Sequence, residues 1–349
     1  MKAIVLTGPG SVQLAERPKP SAAPGEALLK VRRVGLCGSD LNSFRGRNPM
    51  ISFPRVPGHE VAATIEEIPG EHPRLCVGMS VTLSPYTSCG KCTSCRRGRQ
   101  NACEFNQTLG VQRDGALTEY IAVPLERIFP ARRNELAPHS RELNLEELCL
   151  VEPLTVGAHA VARGRVAAGE TVAVVGCGGV GLGAIAAAAF RGAVTVAVDV
   201  DDDKLAIARK AGAAHAVHSA REPLSQALRD LTGGRGPDVI IEAVGVPETF
   251  RAAVEHVAYT GRVVYIGYAK EPVSYETRLF VQKELDMLGT RNAQPEDFLQ
   301  VMAMLEEGHF PVHEVISRTV RLEKAPEIFA AWSAEPARFT KIMIDLDEL

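Results

Sequence analysis

The sequence predicts an α/β protein with a doubly wound parallel sheet in its second half and a β-rich first part that carries four clustered cysteines. Three observations point there. The stretch from Thr171 to Asp203 reads strand, glycine turn, helix, strand and acid. From Thr171 onward, six β-branched runs alternate with helical ones over about 120 residues, the rhythm of a doubly wound sheet. Residues 84–106 hold Cys89, Cys92, Cys95 and Cys103 in a polar segment with too few apolar residues for a core of its own. At 349 residues the chain suits two domains, each able to bury a core.

Composition narrows the class. With 46% hydrophobic and 23% charged residues the chain is an ordinary globular protein, and its net charge of −3 leaves no basic footprint for nucleic acid or an anionic membrane. The opening residues, MKAIVLTGPGSVQL, have one Lys and a short apolar run, unlike a signal peptide, so the expected compartment is the cytoplasm. In that reducing setting the eight cysteines are expected to be thiols or metal ligands rather than disulfides.

Taken in order, residues 1–35 read as short strands separated by turns at Pro18, Pro20 and Pro24. GLCGSD (35–40), a polar Arg-containing loop and GHE (58–60) follow, then alternating β-like sequence to residue 83. Beyond the cysteine segment, strands resume at Gly115–Val123, and 143–163 reads as a helix leading into the glycine unit. There, Thr171–Val175 ends at Gly176-x-Gly178-x-x-Gly181, an Ala-rich helix runs to Gly192, and Val194–Val198 ends at Asp199.

This is the order of a dinucleotide-binding βαβ unit. Gly176 permits the tight turn, Gly178 keeps a Cβ away from a pyrophosphate, and Gly181 lets the helix approach its strand. The helix N-terminus then faces the phosphates with free N–H groups and a positive dipole end. Asp199, 18 residues past Gly181, suits a ribose diol and would repel a 2′-phosphate, so NAD is expected rather than NADP. A membrane span is the bland alternative for the uncharged residues 171–190; five glycines, the β-branched flanks and the placed acid argue against it. The expected cofactor set is Gly176, Gly178, Gly179, Val180, Gly181, Asp199 and Lys204, with Val244, Gly245, Ile266 and Gly267 at the ends of later strands.

Past Asp199, DDKLAIARKAG, REPLSQALRDLTGG and PETFRAAVEHVAYTG read as helices, and AAHAVHS, PDVIIEAVG, GRVVYIGY and ELDMLGT as strands. Residues 290–349 leave this rhythm, with two helical pieces and the terminal strand FTKIMIDL.

Cys89-x2-Cys92-x2-Cys95-x7-Cys103 can close a tetrahedral Zn site with no open position, a structural site whose metal would order a lobe too polar to order itself. Two disulfides or an iron–sulfur cluster are the alternatives, the first disfavoured by compartment and the second by spacing. A zinc-ribbon nucleic-acid module would need two C-x2-C pairs further apart. Cys37, His59, Glu60 and Glu152 form a dispersed second set. One thiolate, one imidazole and one carboxylate leave a fourth place for water or substrate, the pattern of a catalytic zinc. The other eight histidines, His139 among them, read as ordinary surface or core groups.

GLCGSD, GHE, the four-cysteine lobe, VEPLTV (151–156) and VVGCGGVG together resemble the zinc-containing medium-chain alcohol/polyol dehydrogenases, in order along essentially the whole chain. The resemblance implies two Zn²⁺ per chain and NAD. Residues 1–150 (zinc lobe 84–106) and 289–349 would form a GroES-like catalytic domain around a Rossmann NAD-binding domain at 151–288. By resemblance Cys37 and His59 are catalytic zinc ligands, Glu60 and Glu152 the acids that bind the metal or its water, and Ser39 the hydroxyl that passes the substrate proton outward. Homodimers or homotetramers are usual in the family. One departure is Asn42, where many members carry a relay histidine; an amide cannot serve as a base.

GTRNAQPEDF (289–298) resembles the branch acting on sugar acids and polyols. Arg291 and Asn292, with Asn42, are the expected substrate contacts, and Arg45, Arg47 and Arg55 offer further guanidinium forks unless they are surface groups. The function expected is oxidation of a secondary hydroxyl of a small sugar acid or polyol to the ketone. An L-threonine 3-dehydrogenase, a simple secondary-alcohol dehydrogenase and a non-catalytic NAD-sensing protein are the alternatives.

Overall fold

EALLKVRRVGL, dense in leucine and valine, forms the long strand Glu26–Leu36 on which the first unit is assembled. It pairs antiparallel with Glu60–Glu67, Tyr120–Pro124 and Lys341–Asp345. The seven-stranded sheet runs Ile316–Arg321, Lys341–Asp345, Glu26–Leu36, Glu60–Glu67, Ser80–Leu83, Ile128–Pro130, with Tyr120–Pro124 branching from Glu26–Leu36. Its core holds Leu29, Val34, Leu36, Val61, Leu83 and Phe329 fully buried, each burial stabilising by roughly 1.5–3 kcal/mol. This computed structural model describes residues 1–132 and 141–347 and divides into two compact units, Met1–Glu152 with Val312–Leu349, and Pro153–Pro311. His139 lies outside the described residues.

Two elements depart from the sequence reading. The expected loop after Cys37 begins as the helix Gly38–Phe44, because Asp40 caps it through the Cys37 N–H while Leu41 and Phe44 bury their side chains. Ile316–Arg321 is a strand without the alternation that would have marked it, since it lies at the sheet's edge with an exposed centre.

In the second unit six parallel strands follow the order His215–His218, Val194–Asp199, Thr171–Val175, Val239–Glu242, Arg262–Tyr265, Asp286–Gly289. The order reverses between Thr171–Val175 and Val239–Glu242, and ligands of such sheets bind at the carboxyl ends beside that reversal. The boundary expected at residue 289 falls at Val312 instead. Helix Pro295–Glu306 packs on helix Gly179–Phe190 and buries Phe298, Val301, Met302 and Leu305; its Asp297 meets His159 at 2.8 Å, a buried pair that ties it to this unit. Among the described residues no helix is long and apolar enough to cross a membrane. The uncharged run instead splits into a strand and a helix.

Helix Leu145–Arg163 carries the division between the units, at Pro153, and its last part approaches Gly179–Phe190 through glycines. A Cβ on Gly157 would stand 2.2 Å from Ala184 N, and one on Gly183 2.6 Å from Leu154 O. These are backbone atoms and cannot step aside. Gly157→Ala is therefore expected to destabilise the protein by about 1–3 kcal/mol, read as a lower urea midpoint with unchanged slope; an unaltered midpoint would contradict the close approach.

Candidate functional site

Strand pairing assembles the dispersed metal set. Gly35 is aligned with Glu60 across the antiparallel pair, so the residue following one strand and the residue preceding the other, Cys37 and His59, are brought together. Their ligand atoms and that of Glu60 all lie within 4.8 Å of one another. Two glycines make this possible. A Cβ on Gly35 would strike Glu60 Oε2 at 2.0 Å, and Gly58 has φ +95° with Val34 and Leu117 against it.

Sequence reasoning missed three residues that hold these ligands. Asp40, almost fully buried, accepts from Cys37 N (2.9 Å) through Oδ2 and from Gly58 N (3.1 Å) through Oδ1, clamping both ligand-bearing turns. Its Oδ1 lies 4.0 Å from His59 Nδ1, a buried atom with no hydrogen-bond partner. Lys341, from the last strand, donates to both Glu60 oxygens (2.6 and 2.7 Å) and to Leu36 O (3.3 Å). Tyr86 donates to Glu152 Oε1, and Glu152 stands outside the close trio. Asp40 and Lys341 were present in the sequence as an unremarked acid beside the metal Cys and a lone Lys in a terminal strand.

The electrostatics follow from burial. Desolvation raises the Asp40 and Glu152 carboxyls above their ordinary values, with His59 pulling each back. Burial alone would lower the His59 pKa; Asp40, Cys37 and Glu152 outweigh it and hold it well above the histidine value. Burial likewise pushes the Tyr86 hydroxyl up, reinforced by Glu152. For Lys341 desolvation works downward, and Glu60 and Cys37 reverse it. So much negative charge on one imidazole is what a divalent cation would meet, and its binding would displace protons. Ser39 sits in the first turn of Gly38–Phe44, its Oγ buried without a hydrogen-bond partner, and Asn42 is exposed on the same helix.

In the lobe, the buried apolar cluster consists of Cys92, Cys95 and Cys103 themselves, with Cys89 packed on it. The four sulfurs lie within 4.8 Å of one another; all eight cysteines are free, which sets aside the disulfide alternative. The Ser94 hydroxyl and the Cys95 and Glu104 amides pull Cys92 down to about 5, while burial and the sulfurs of Cys92 and Cys103 push Cys95 up to about 12. Four thiolates so close repel one another unless a cation joins them, and an all-sulfur tetrahedral set fits zinc.

The cofactor residues gather at the carboxyl ends of the second unit's sheet. Gly176 has φ +96°, a Cβ on Gly181 would strike Gly176 O at 1.8 Å, and a Cβ on Gly178 would meet nothing within 4 Å. Gly179 and Val180 open the helix behind it. Asp199 is fixed by Cys177 N on Oδ2 (2.7 Å) and Val200 N on Oδ1 (2.8 Å), and half-buried Lys204 follows in the first turn of Asp202–Lys210. Val244 and Gly245 follow Val239–Glu242, and Ile266 and Gly267 follow Arg262–Tyr265. A cleared glycine cradle with a carboxylate fixed beside it at the end of the next strand fits a dinucleotide. Arg291 is exposed, and Asn292 takes a left-handed φ of +54°, which asparagine tolerates. Arg45 donates to Ser333 Oγ (3.0 Å), and Arg55 reaches Ser52 (2.8 Å) and Asp114 (3.3 Å), so both are at least partly engaged within their own unit.

Two metal-ligand sets and a dinucleotide turn on these two folds define a zinc- and nicotinamide-dependent oxidoreductase. Residues 23–133 match the alcohol dehydrogenase GroES-like domain and residues 179–307 the zinc-binding dehydrogenase domain. The chain is 33% identical over 308 residues to L-galactonate-5-dehydrogenase of Escherichia coli K12, covering 88% of each. It is 34% identical over 295 residues to sorbitol dehydrogenase of Bacillus subtilis, covering 83% of this chain and 81% of that one. RspB of E. coli CFT073, solved with NADH, superposes with a TM-score of 0.88 at 27% identity over 99% of both chains. The protein belongs to the zinc-binding medium-chain alcohol dehydrogenase family, in its polyol and sugar dehydrogenase group.

Cys103→Ser should lower bound zinc by one equivalent per chain and drop the melting temperature, because the lobe loses the ion that stands in for a core. Elemental analysis with a melting curve checks this; unchanged zinc content would refute the four-sulfur assignment.

Proposed function

We propose that the protein is an NAD-linked zinc dehydrogenase oxidising a secondary hydroxyl of a sugar acid or polyol to the ketone. The observation that carries the reading is the trio of half-buried Cys37 with buried His59 and Glu60 on the first unit, whose three ligand atoms would leave a fourth place for water or substrate. When bound, the zinc supplies Lewis acidity to the substrate oxygen and the nicotinamide accepts hydride. Cys37 and His59 would hold the metal, the turns that carry them clamped by Asp40 through the Cys37 and Gly58 N–H groups. Ser39, its Oγ free of other bonds, accepts the substrate proton's hydrogen bond and passes it outward. Asn42 orients but takes no proton. Lys341 keeps both Glu60 oxygens at rest, and Tyr86 keeps Glu152. Arg291 and Asn292 are the substrate contacts we assign.

Two further features belong to this reading. Asp199 selects NAD, its carboxylate held where a 2′-phosphate would need room and positive charge. The assembly is a homodimer or homotetramer: Asp286–Gly289 ends the six-stranded order, and Val281 on the adjoining helix Arg278–Gln282 is 82% exposed.

NAD reduction should be measured against hexonates, polyols, L-threonine and a plain secondary alcohol, with and without a zinc chelator. Chelator-sensitive turnover of hexonates or polyols is expected, and turnover confined to threonine or the simple alcohol would overturn the substrate class. His59→Ala should abolish turnover and leave NADH binding intact. Asp199→Gly should weaken NAD and narrow its margin over NADP by about tenfold; an unchanged ratio would remove Asp199 from cofactor selection.

A further inference from the structure

One acid in the second unit lies outside every motif. Glu242 ends its strand at the centre of the sheet, aligned with Val175 on one side and Tyr265 on the other. It is fully buried. Its Oε1 accepts three hydrogen bonds, from Val244 N (2.9 Å), Gly245 N (2.8 Å) and Thr249 Oγ1 (2.7 Å). Its Oε2 is buried without a hydrogen-bond partner and faces Gly267, where a Cβ would come within 2.4 Å of it and 2.5 Å of Gly245 N. The carboxylate thus fills the space between two turns, 243–245 and 266–267. Val244 in turn closes on the glycine cradle: a Cβ on Gly176 would meet Val244 Cγ2 at 2.7 Å.

A buried carboxylate is a costly way to fill space, because each oxygen leaves water and an apolar side chain would pack as well. What an apolar side chain could not do is gather two backbone N–H groups and a hydroxyl onto one point. Gly245 needs that help, since its φ of +88° is a conformation that no regular ladder holds. Val244, Gly245, Ile266 and Gly267, in the two turns bordering the acid, are residues assigned above to the cofactor.

We propose that Glu242 is a positioning residue for the nicotinamide half of the dinucleotide. It fixes the Val244–Gly245 and Ile266–Gly267 turns at one separation, so that their backbone groups meet the nicotinamide and its ribose. The adenosine half rests on the glycine cradle and Asp199, which the Glu242 carboxylate reaches only indirectly, through Val244. This rests on the cofactor reading of those four turn residues.

The test is the affinity of the zinc-loaded protein for NADH and for ADP-ribose, which lacks the nicotinamide, by calorimetry. Glu242→Ala and Glu242→Asp should weaken NADH by about tenfold or more and ADP-ribose by less than about twofold. Glu242→Gln, which keeps an acceptor for the three donors, should restore most of the NADH affinity. Equal weakening of both ligands would make Glu242 a general support of the domain and overturn the proposal, as would unchanged NADH binding. If the alanine variant does not fold, the aspartate variant decides on the same ratio. Native protein that binds NADH no more tightly than ADP-ribose would instead refute the assignment of the four turn residues.

Discussion

Everything at the metal centre depends on the Asp40 carboxylate. Residues 37 and 58 belong to turns far apart in sequence, yet the same side chain accepts a backbone N–H from each, at 2.9 and 3.1 Å. A buried acid is tolerable because both oxygens are satisfied by backbone donors and the His59 ring lies beside it. The clamp also sets the metal chemistry. The carboxylate lies 4.0 Å from the His59 ring, too far for a hydrogen bond, so it acts on the imidazole through charge and through the turn it clamps. The antiparallel pairing brings the two turns near; Asp40 decides that Cys37 and His59 meet within coordinating distance.

The two zinc sites answer different physical needs. In the four-cysteine lobe the buried cluster is made of the sulfurs, so a metal there substitutes for a core and its binding energy is folding energy. The sheet whose strand ends carry the Cys37 trio already has a full apolar core, in which Leu36, Val34 and Val61 of those same strands are buried. A metal there would not have to stand in for a core. The cofactor unit shows the same separation: the fully buried Val172, Val174 and Ile241 stabilise the sheet, while the glycines at the strand ends clear space and contribute no packing.

Much of this was legible beforehand. Period and order were enough for the parallel sheet, because each βα unit is short and locally specified; Cys37, His59 and Glu60, and the four lobe cysteines, do come together, while Glu152, expected with the first set, stands outside it. Two kinds of feature escaped. Elements made by tertiary context did: Gly38–Phe44 needs a cap and a core to form, and Ile316–Arg321 has no pattern apart from its neighbour. So did partners whose meaning lies in distance across the chain. Nothing local marks Lys341 as the counter-ion of Glu60 or Glu242 as the junction of two turns. The arginines of the loop were left open between substrate forks and surface groups, since a guanidinium is visible in sequence but its occupation is not: Arg45 and Arg55 find partners within their own unit.

Lys341 shows why such partners are indispensable. Glu60 and Lys341 are both buried, and desolvation penalises each charge by several kcal/mol, so neither would persist as an ion alone. Together they form a short, two-oxygen contact, and Leu36 O takes a further Lys341 proton. Removing one partner from such a pair leaves the other uncompensated, at about 3–5 kcal/mol, more than replacing both would cost. The pair also joins the start of strand Glu60–Glu67 to the last strand, so the C-terminal return of the chain completes the wall behind the metal ligands. Within the Cys37–His59–Glu60 trio, Glu60 is thus the member whose two oxygens are already held by a partner, while the sulfur and the imidazole are the donors left to hold a metal.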